Sequence, residues 1–171
     1  MSLPGPEPTP VVFDVNVLVR AVAVGESPYR SWPSPPPTSS NPSADCLGIV
    51  NDAAEFALWL SPHILSNTGR VLAEVLRTPT EEIDQYIAVM IEMADASGGG
   101  VLDPPQRVSD CPGWEDNRIL DLALAVGALL VVSADADLTS MSPWRGRPIL
   151  EPGQFTSLVD ASRRARRRRR K

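Results

Sequence analysis

Trp114-Glu115-Asp116-Asn117-Arg118-Ile119-Leu120-Asp121-Leu122-Ala123, followed by Gly127-Ala128-Leu129-Leu130-Val131-Val132-Ser133-Ala134-Asp135-Ala136-Asp137-Leu138, is the stretch whose reading decides the fold. Acids open a helix, an amphipathic segment follows, a buried strand comes next, and acids return where that strand ends. Asp14 occupies a similar place after another apolar run, Val11-Val12-Phe13. An open parallel sheet gathers its functional residues at the carboxyl ends of its strands. Asp14, Asp116 and Asp135 therefore form a candidate cluster. Bare carboxylates repel one another, and a divalent cation removes that cost. Oxygen ligands without a cysteine cluster, in a chain with one histidine, favour Mg²⁺ or Mn²⁺ over Zn²⁺. Such an ion suits chemistry on a phosphate group.

Working outward, strands and helices alternate along the chain. Phe56-Ala57-Leu58-Trp59-Leu60 reads as a buried strand, and Ser61-Pro62 as an N-cap with proline at the first helical position. Ile64, Leu65, Thr68, Val71, Leu72, Val75 and Leu76 keep the helical period after it. Thr80-Glu81-Glu82-Ile83 opens another helix, which Gly98-Gly99-Gly100 ends. A short helix is expected within 44–57, carried by Asp45 to Ala54, a short extended piece at Val101-Leu102, a last strand at Arg147-Pro148-Ile149-Leu150 and a final turn of helix over 153–159. This alternation predicts an α/β fold, a three-layer α/β/α sandwich around a mostly parallel sheet.

The chain has 171 residues and 43% hydrophobic content, enough for one domain with a sizeable core. Residues 1–10 are proline-rich and read as disordered, 11–160 as the domain, and 25–43 as a proline-rich loop inserted within it. No apolar run reaches the length of a membrane span, and the N-terminus lacks the pattern of a secretory signal. Cys46 and Cys111 are too few for a disulfide framework, so a cytoplasmic location is the expectation.

Charge is distributed unevenly. Arg163, Arg164, Arg166, Arg167, Arg168, Arg169, Arg170 and Lys171 are eight of the 16 basic residues. The rest of the chain sets eight basic residues against 21 acidic ones, a net of −13. Residues 161–171 read as a disordered polycation whose natural partner is a phosphate backbone, so Arg166 to Arg170 and Lys171 are assigned to nucleic-acid binding.

Phe13-Asp14-Val15-Asn16-Val17-Leu18, Glu115-Asp116-Asn117 with Ile119-Leu120-Asp121-Leu122-Ala123, and Ser133-Ala134-Asp135 with Asp137-Leu138 resemble the PIN domain, most closely the VapC-type toxin ribonucleases. The likeness covers roughly residues 11–150, with its motifs in the family's order. It implies a Mg²⁺- or Mn²⁺-dependent endoribonuclease leaving a 5′-phosphate and a 3′-hydroxyl. It also implies a homodimer and a cognate antitoxin protein that blocks the acidic pocket. Asp14, Asp116 and Asp135 match three of the family's four acids, with Asn16 and Ser133 in support. The usual second acid, a glutamate, is replaced here by Asn67. Glu115 and Asp137 are the residues placed to compensate, and a non-catalytic RNA- or protein-binding module is the alternative. The remaining polar residues receive bland readings. His63 is expected to be a partly exposed polar residue, Trp114 a staple onto the core, Asp121 and Glu74 solvated, and Asp103 and Asp110 loop residues without a role.

Overall fold

In a computed structural model, which describes residues 6–23, 41–52 and 55–171, the triplet Val11-Val12-Phe13 lies in the central strand of the sheet and is fully buried. The strands are β1 (Thr9–Phe13), β2 (Phe56–Leu60), β3 (Gly100–Val101), β4 (Leu130–Val132) and β5 (Ile149–Leu150). The helices are α1 (Val15–Ala23), α2 (Pro42–Asp52), α3 (Pro62–Glu74), α4 (Thr80–Ser97), α5 (Trp114–Ala125), α6 (Ala136–Thr139) and α7 (Pro152–Arg169). The sheet has the order β3-β2-β1-β4-β5, and every pairing is parallel. A parallel sheet covered on both faces needs continuous apolar strands rather than alternating ones, as in the triplet. The result is the expected α/β/α sandwich.

The order contains one reversal. From β1 the chain steps outward to β2 and β3, then returns across β1 to place β4 on its other side. Right-handed crossovers then set α5 on the opposite face from α1 to α4. The C-terminal ends of β1 and β4 flank this switch point, where such sheets leave a crevice. Val12 pairs with Val131 and Phe13 with Val132. That register brings the residues following each strand, Asp14 and Ser133, side by side.

Local signals behave as their chemistry demands. Ser61 caps α3 by accepting from the Ile64 amide at 3.1 Å, with Pro62 opening the helix. Gly98 ends α4 in the left-handed region with φ 97°. At Gly99 a Cβ would lie 1.9 Å from the Leu58 carbonyl oxygen, so only glycine lets α4 return this closely against β2.

The C-terminal segment differs from expectation. Rather than a final turn over 153–159 and a disordered tail from 161, α7 continues to Arg169. Its start carries a capping box between Glu151 and Gln154. Phe155 seats edge-on against Phe13 and Phe56 at centroid distances of 5.7 and 5.2 Å. Glu55 then takes Arg163 at 2.9 Å and Arg166 at 3.8 Å. Arginine is itself a good helix former, so a capped and anchored helix propagates through it.

Other boundaries shift less. Thr9 and Pro10 belong to β1 rather than to a disordered N-terminus, whose residues 1–5 lie outside the described residues. The proline-rich insertion falls largely outside them too, but its end, Pro42-Ser43, already belongs to α2. Among the described residues no helix is long and apolar enough to cross a membrane.

Candidate functional site

Asp14 is the single residue joining β1 to α1, and the tight turn aims its carboxylate back across the sheet. Oδ1 accepts from the Val15 amide at 2.7 Å, while Oδ2 accepts from Ser133 Oγ at 2.7 Å and Asn16 Nδ2 at 3.1 Å. Asn16 Oδ1 in turn accepts from the Ala134 amide at 3.0 Å, and Ser133 Oγ from the Asp135 amide at 3.0 Å. The ends of β1 and β4 are thus tied by side chains that the sequence analysis named as supports. Burial, aided by neighbouring Asp135, pushes the Asp14 carboxyl above its ordinary value although Ser133, Val15 and Asn16 all stabilise its charged form.

Asp116 comes from the first turn of α5, and Asp135 caps α6 by accepting from the Asp137 amide at 2.9 Å. One carboxylate oxygen from each of Asp116, Asp135 and Asp137 lies within 4.8 Å of the others. This tight group differs from the expected trio, because Asp137 belongs to it and Asp14 does not. Asp14 instead turns both oxygens to donors on its own loop and on Ser133, yet still lines the same cleft. Burial first, then Asp135, Asp14, Asp137 and Glu115, push the Asp116 carboxyl up to about 6. Oxygen donors so disposed, with mutual repulsion that a bound cation would relieve, fit a hard divalent ion.

That shift has a consequence for stability. Asp116 binds its proton more tightly in the folded chain than in the unfolded one, so its contribution favours folding at low pH. It is fully present below the unfolded value of 3.8 and is lost as pH rises through about 6. In chelator, the melting temperature of wild type relative to Asp116→Asn should therefore rise by about 3 °C from pH 7.5 to pH 4.5, corresponding to roughly 1 kcal/mol after solvent screening. A difference flat across that range would mean that the carboxylate does not feel its neighbours.

The cleft itself, of about 270 Å³, is walled by Asp14, Asn16, Glu115, Asp116 and Asp135, and also by His63, Asn67, Arg20 and Arg70. Asn67 projects into it from α3 and donates Nδ2 to His63 Nε2 at 3.0 Å, which leaves the imidazole proton on Nδ1. Burial, with Arg118 adding to it, lowers the His63 value and outweighs Glu115 and Asp14. His63 packs edge-on against Trp114 at 5.3 Å. Trp114 does not staple the helix to the core, because it is 57% exposed and its partners are His63 and, at 6.0 Å, the Arg118 guanidinium.

What holds the start of α5 in place is a set of buried polar residues. Asn117 both accepts from and donates to the Cys111 backbone, at 2.8 and 2.9 Å. Asp121 is only 3% exposed rather than solvated. Its Oδ1 accepts from the Arg107 and Val108 amides at 2.8 and 2.7 Å, and its Oδ2 pairs with buried Arg118 at 3.2 Å. Asp103 also meets Arg118 at 3.4 Å, and Asp110 accepts from Trp144 Nε1 at 2.7 Å, so both loop acids have structural roles. Glu74 is exposed as expected and pairs with Arg70 at 3.5 Å.

Sequence reasoning missed Arg20, Arg70 and the Asn117–Asp121 pair. Helical spacing held the signal for each: Asn16 to Arg20 and Asn117 to Asp121 are four apart, Asn67 to Arg70 three. The chain matches no known family model, and no curated relative is found for it.

Proposed function

We propose that this chain is a metal-dependent endoribonuclease of PIN type, acting as the toxin of a toxin–antitoxin pair. The observation that carries this reading is the convergence of Asp116, Asp135 and Asp137 at the sheet's switch point, beside a cleft that Asp14 also lines. These carboxylates would hold Mg²⁺ or Mn²⁺, and a bound ion would supply charge neutralisation at a phosphodiester and a more acidic water.

The chain's own residues do the rest. Ser133 and Asn16 orient Asp14 by hydrogen bonds to Oδ2, which favour its charged form against burial. Asp137 offers a third carboxylate where Asn67 replaces the acid expected from the resemblance. The arginine-rich end of α7 draws RNA in through its phosphates, an attraction that salt weakens. It is clasped to Glu55, which directly precedes β2, so it lies towards the end of the strands opposite the cleft. The resemblance further suggests a homodimer and an antitoxin that closes the cleft over its carboxylates.

A second reading, a PIN-like module that binds RNA or protein without cutting, is favoured by Asn67, whose side chain is engaged with His63 rather than acidic. Incubating the full chain with single-stranded RNA and Mn²⁺ or Mg²⁺ separates the two. Cleavage that appears with the metal and stops in chelator is expected. Binding without cleavage under either ion would establish the second reading instead.

A further inference from the structure

Two cations stand in the wall of a cleft otherwise rich in carboxylates. Arg20 lies on α1 one helical turn beyond Asn16, and Arg70 lies on α3 two turns beyond His63; both line the cleft. At about 1.5 Å per residue, these positions are roughly 6 and 10 Å along their helices from Asn16 and His63. Because α1 and α3 pack together, both arginine-bearing faces border the cleft that Glu115 and Asp116 enter from α5.

Neither guanidinium is committed. Among the described residues no carboxylate pairs with Arg20. The ion pair of Arg70 is an exposed one with Glu74 four residues on, at 3.5 Å, and such pairs hold a side chain weakly. Three other arginines are tied into structure: Arg118 is buried against Asp121, Arg145 pairs with Asp110, and Arg147 donates to the Ala128 carbonyl at 2.8 Å. An RNA strand approaching clustered carboxylates is repelled by them, and two uncommitted forks beside the cluster offset that repulsion where it is felt. The guanidinium fork also matches two phosphate oxygens at once, which orients the backbone as well as attracting it.

We propose that Arg20 and Arg70 form a phosphate-holding pair that grips the backbone of single-stranded RNA next to the phosphodiester lying at the carboxylates. The inference rests on the nuclease reading for its substrate class and extends it from the reacting phosphate to a neighbouring one. It makes the pair a determinant of binding for oligonucleotides rather than for isolated phosphate groups.

His63 allows a local test, since it is the only histidine in the chain and lines the cleft. Its ring-proton resonance reports occupancy there and not at the arginine-rich end of α7. The full chain is titrated, in chelator so that nothing is cut, with a 5′-phosphorylated uridine trinucleotide. A saturable His63 shift is expected. The double variant Arg20→Gln with Arg70→Gln should need about tenfold more ligand to reach its midpoint. The control Arg77→Gln with Arg107→Gln removes the same charge at two exposed positions that do not line the cleft and should stay within about twofold.

An absent His63 shift in wild type, an unchanged midpoint in the cleft double variant, or equal weakening in both double variants overturns the proposal. The expected titration in a chain that cuts no RNA under Mg²⁺ or Mn²⁺ leaves the phosphate-holding pair standing and removes the nuclease reading alone.

Discussion

Replacing Asp116 with asparagine is expected to lower Mg²⁺- or Mn²⁺-dependent RNA cleavage by about a thousandfold while leaving the chain folded. Asparagine keeps the shape of the side chain and removes its charge. The carboxylate lost is the one most strongly affected by its neighbours, its own value raised to about 6 by burial and by Asp135, Asp14, Asp137 and Glu115. The same change relieves repulsion in the metal-free chain, so above pH 6 the variant should melt no lower than wild type in chelator. Loss of cleavage without loss of stability separates a missing ligand from a damaged fold. Asp135→Asn should behave alike. Glu115→Gln should cost far less, because Glu115 lines the cleft but lies outside the tight group. Single-turnover cleavage of a labelled RNA, run beside thermal melts, makes the comparison. Metal-dependent cleavage that survives both Asp116→Asn and Asp14→Asn would place the chemistry elsewhere.

Asp121→Ala is expected to be the most damaging single change to stability, at about 3–5 kcal/mol. Three groups lose the carboxylate together: the Arg107 amide, the Val108 amide and the buried Arg118 guanidinium. The buried Val108 amide left without an acceptor, and a buried cation left with only the exposed Asp103 at 3.4 Å and the Pro104 carbonyl at 3.2 Å, share the cost. For a chain of this length the melting temperature should fall by roughly 10 °C. Asp121→Asn retains an acceptor for the amides and should recover part of the loss. Urea denaturation of wild type and both variants, compared at equal slope, reads the difference directly. A midpoint for Asp121→Ala within 1 kcal/mol of wild type would show that water replaces the carboxylate in this network. Cleavage should fall with stability in Asp121→Ala, because the network fixes the loop that leads into Asp116.

Much of this was legible in the order of residues. The Val11-Val12-Phe13 triplet, the Ser61-Pro62 cap, the Gly98 terminator and the strand before Ser133 are signals read within a few residues of themselves. Backbone sterics and side-chain caps act at that range, so alternating strands and helices, and with them the α/β class, follow from the chain alone. The placing of acids after strands also pointed to Asp14 and Asp135 before any coordinates. Buried polar residues were harder to see. Asp121 reads as a surface acid on a helix until the loop over 103–108 folds onto it, and Trp114 reads as a core residue until His63 is found to be its neighbour. The arginine run looks self-repelling until Phe155 and Glu55 anchor the helix that carries it.

The sequence by itself thus determined the element types, the layered class and the identities of the candidate acids. Only the tertiary structure decided that Asp137 rather than Asp14 joins Asp116 and Asp135, and that Arg20 and Arg70 share their cleft. The physical reason is the return of the chain from β3 across β1 to β4. A strand order is a set of contacts between residues far apart in the chain, and no local preference encodes which loops it brings to one end of the sheet.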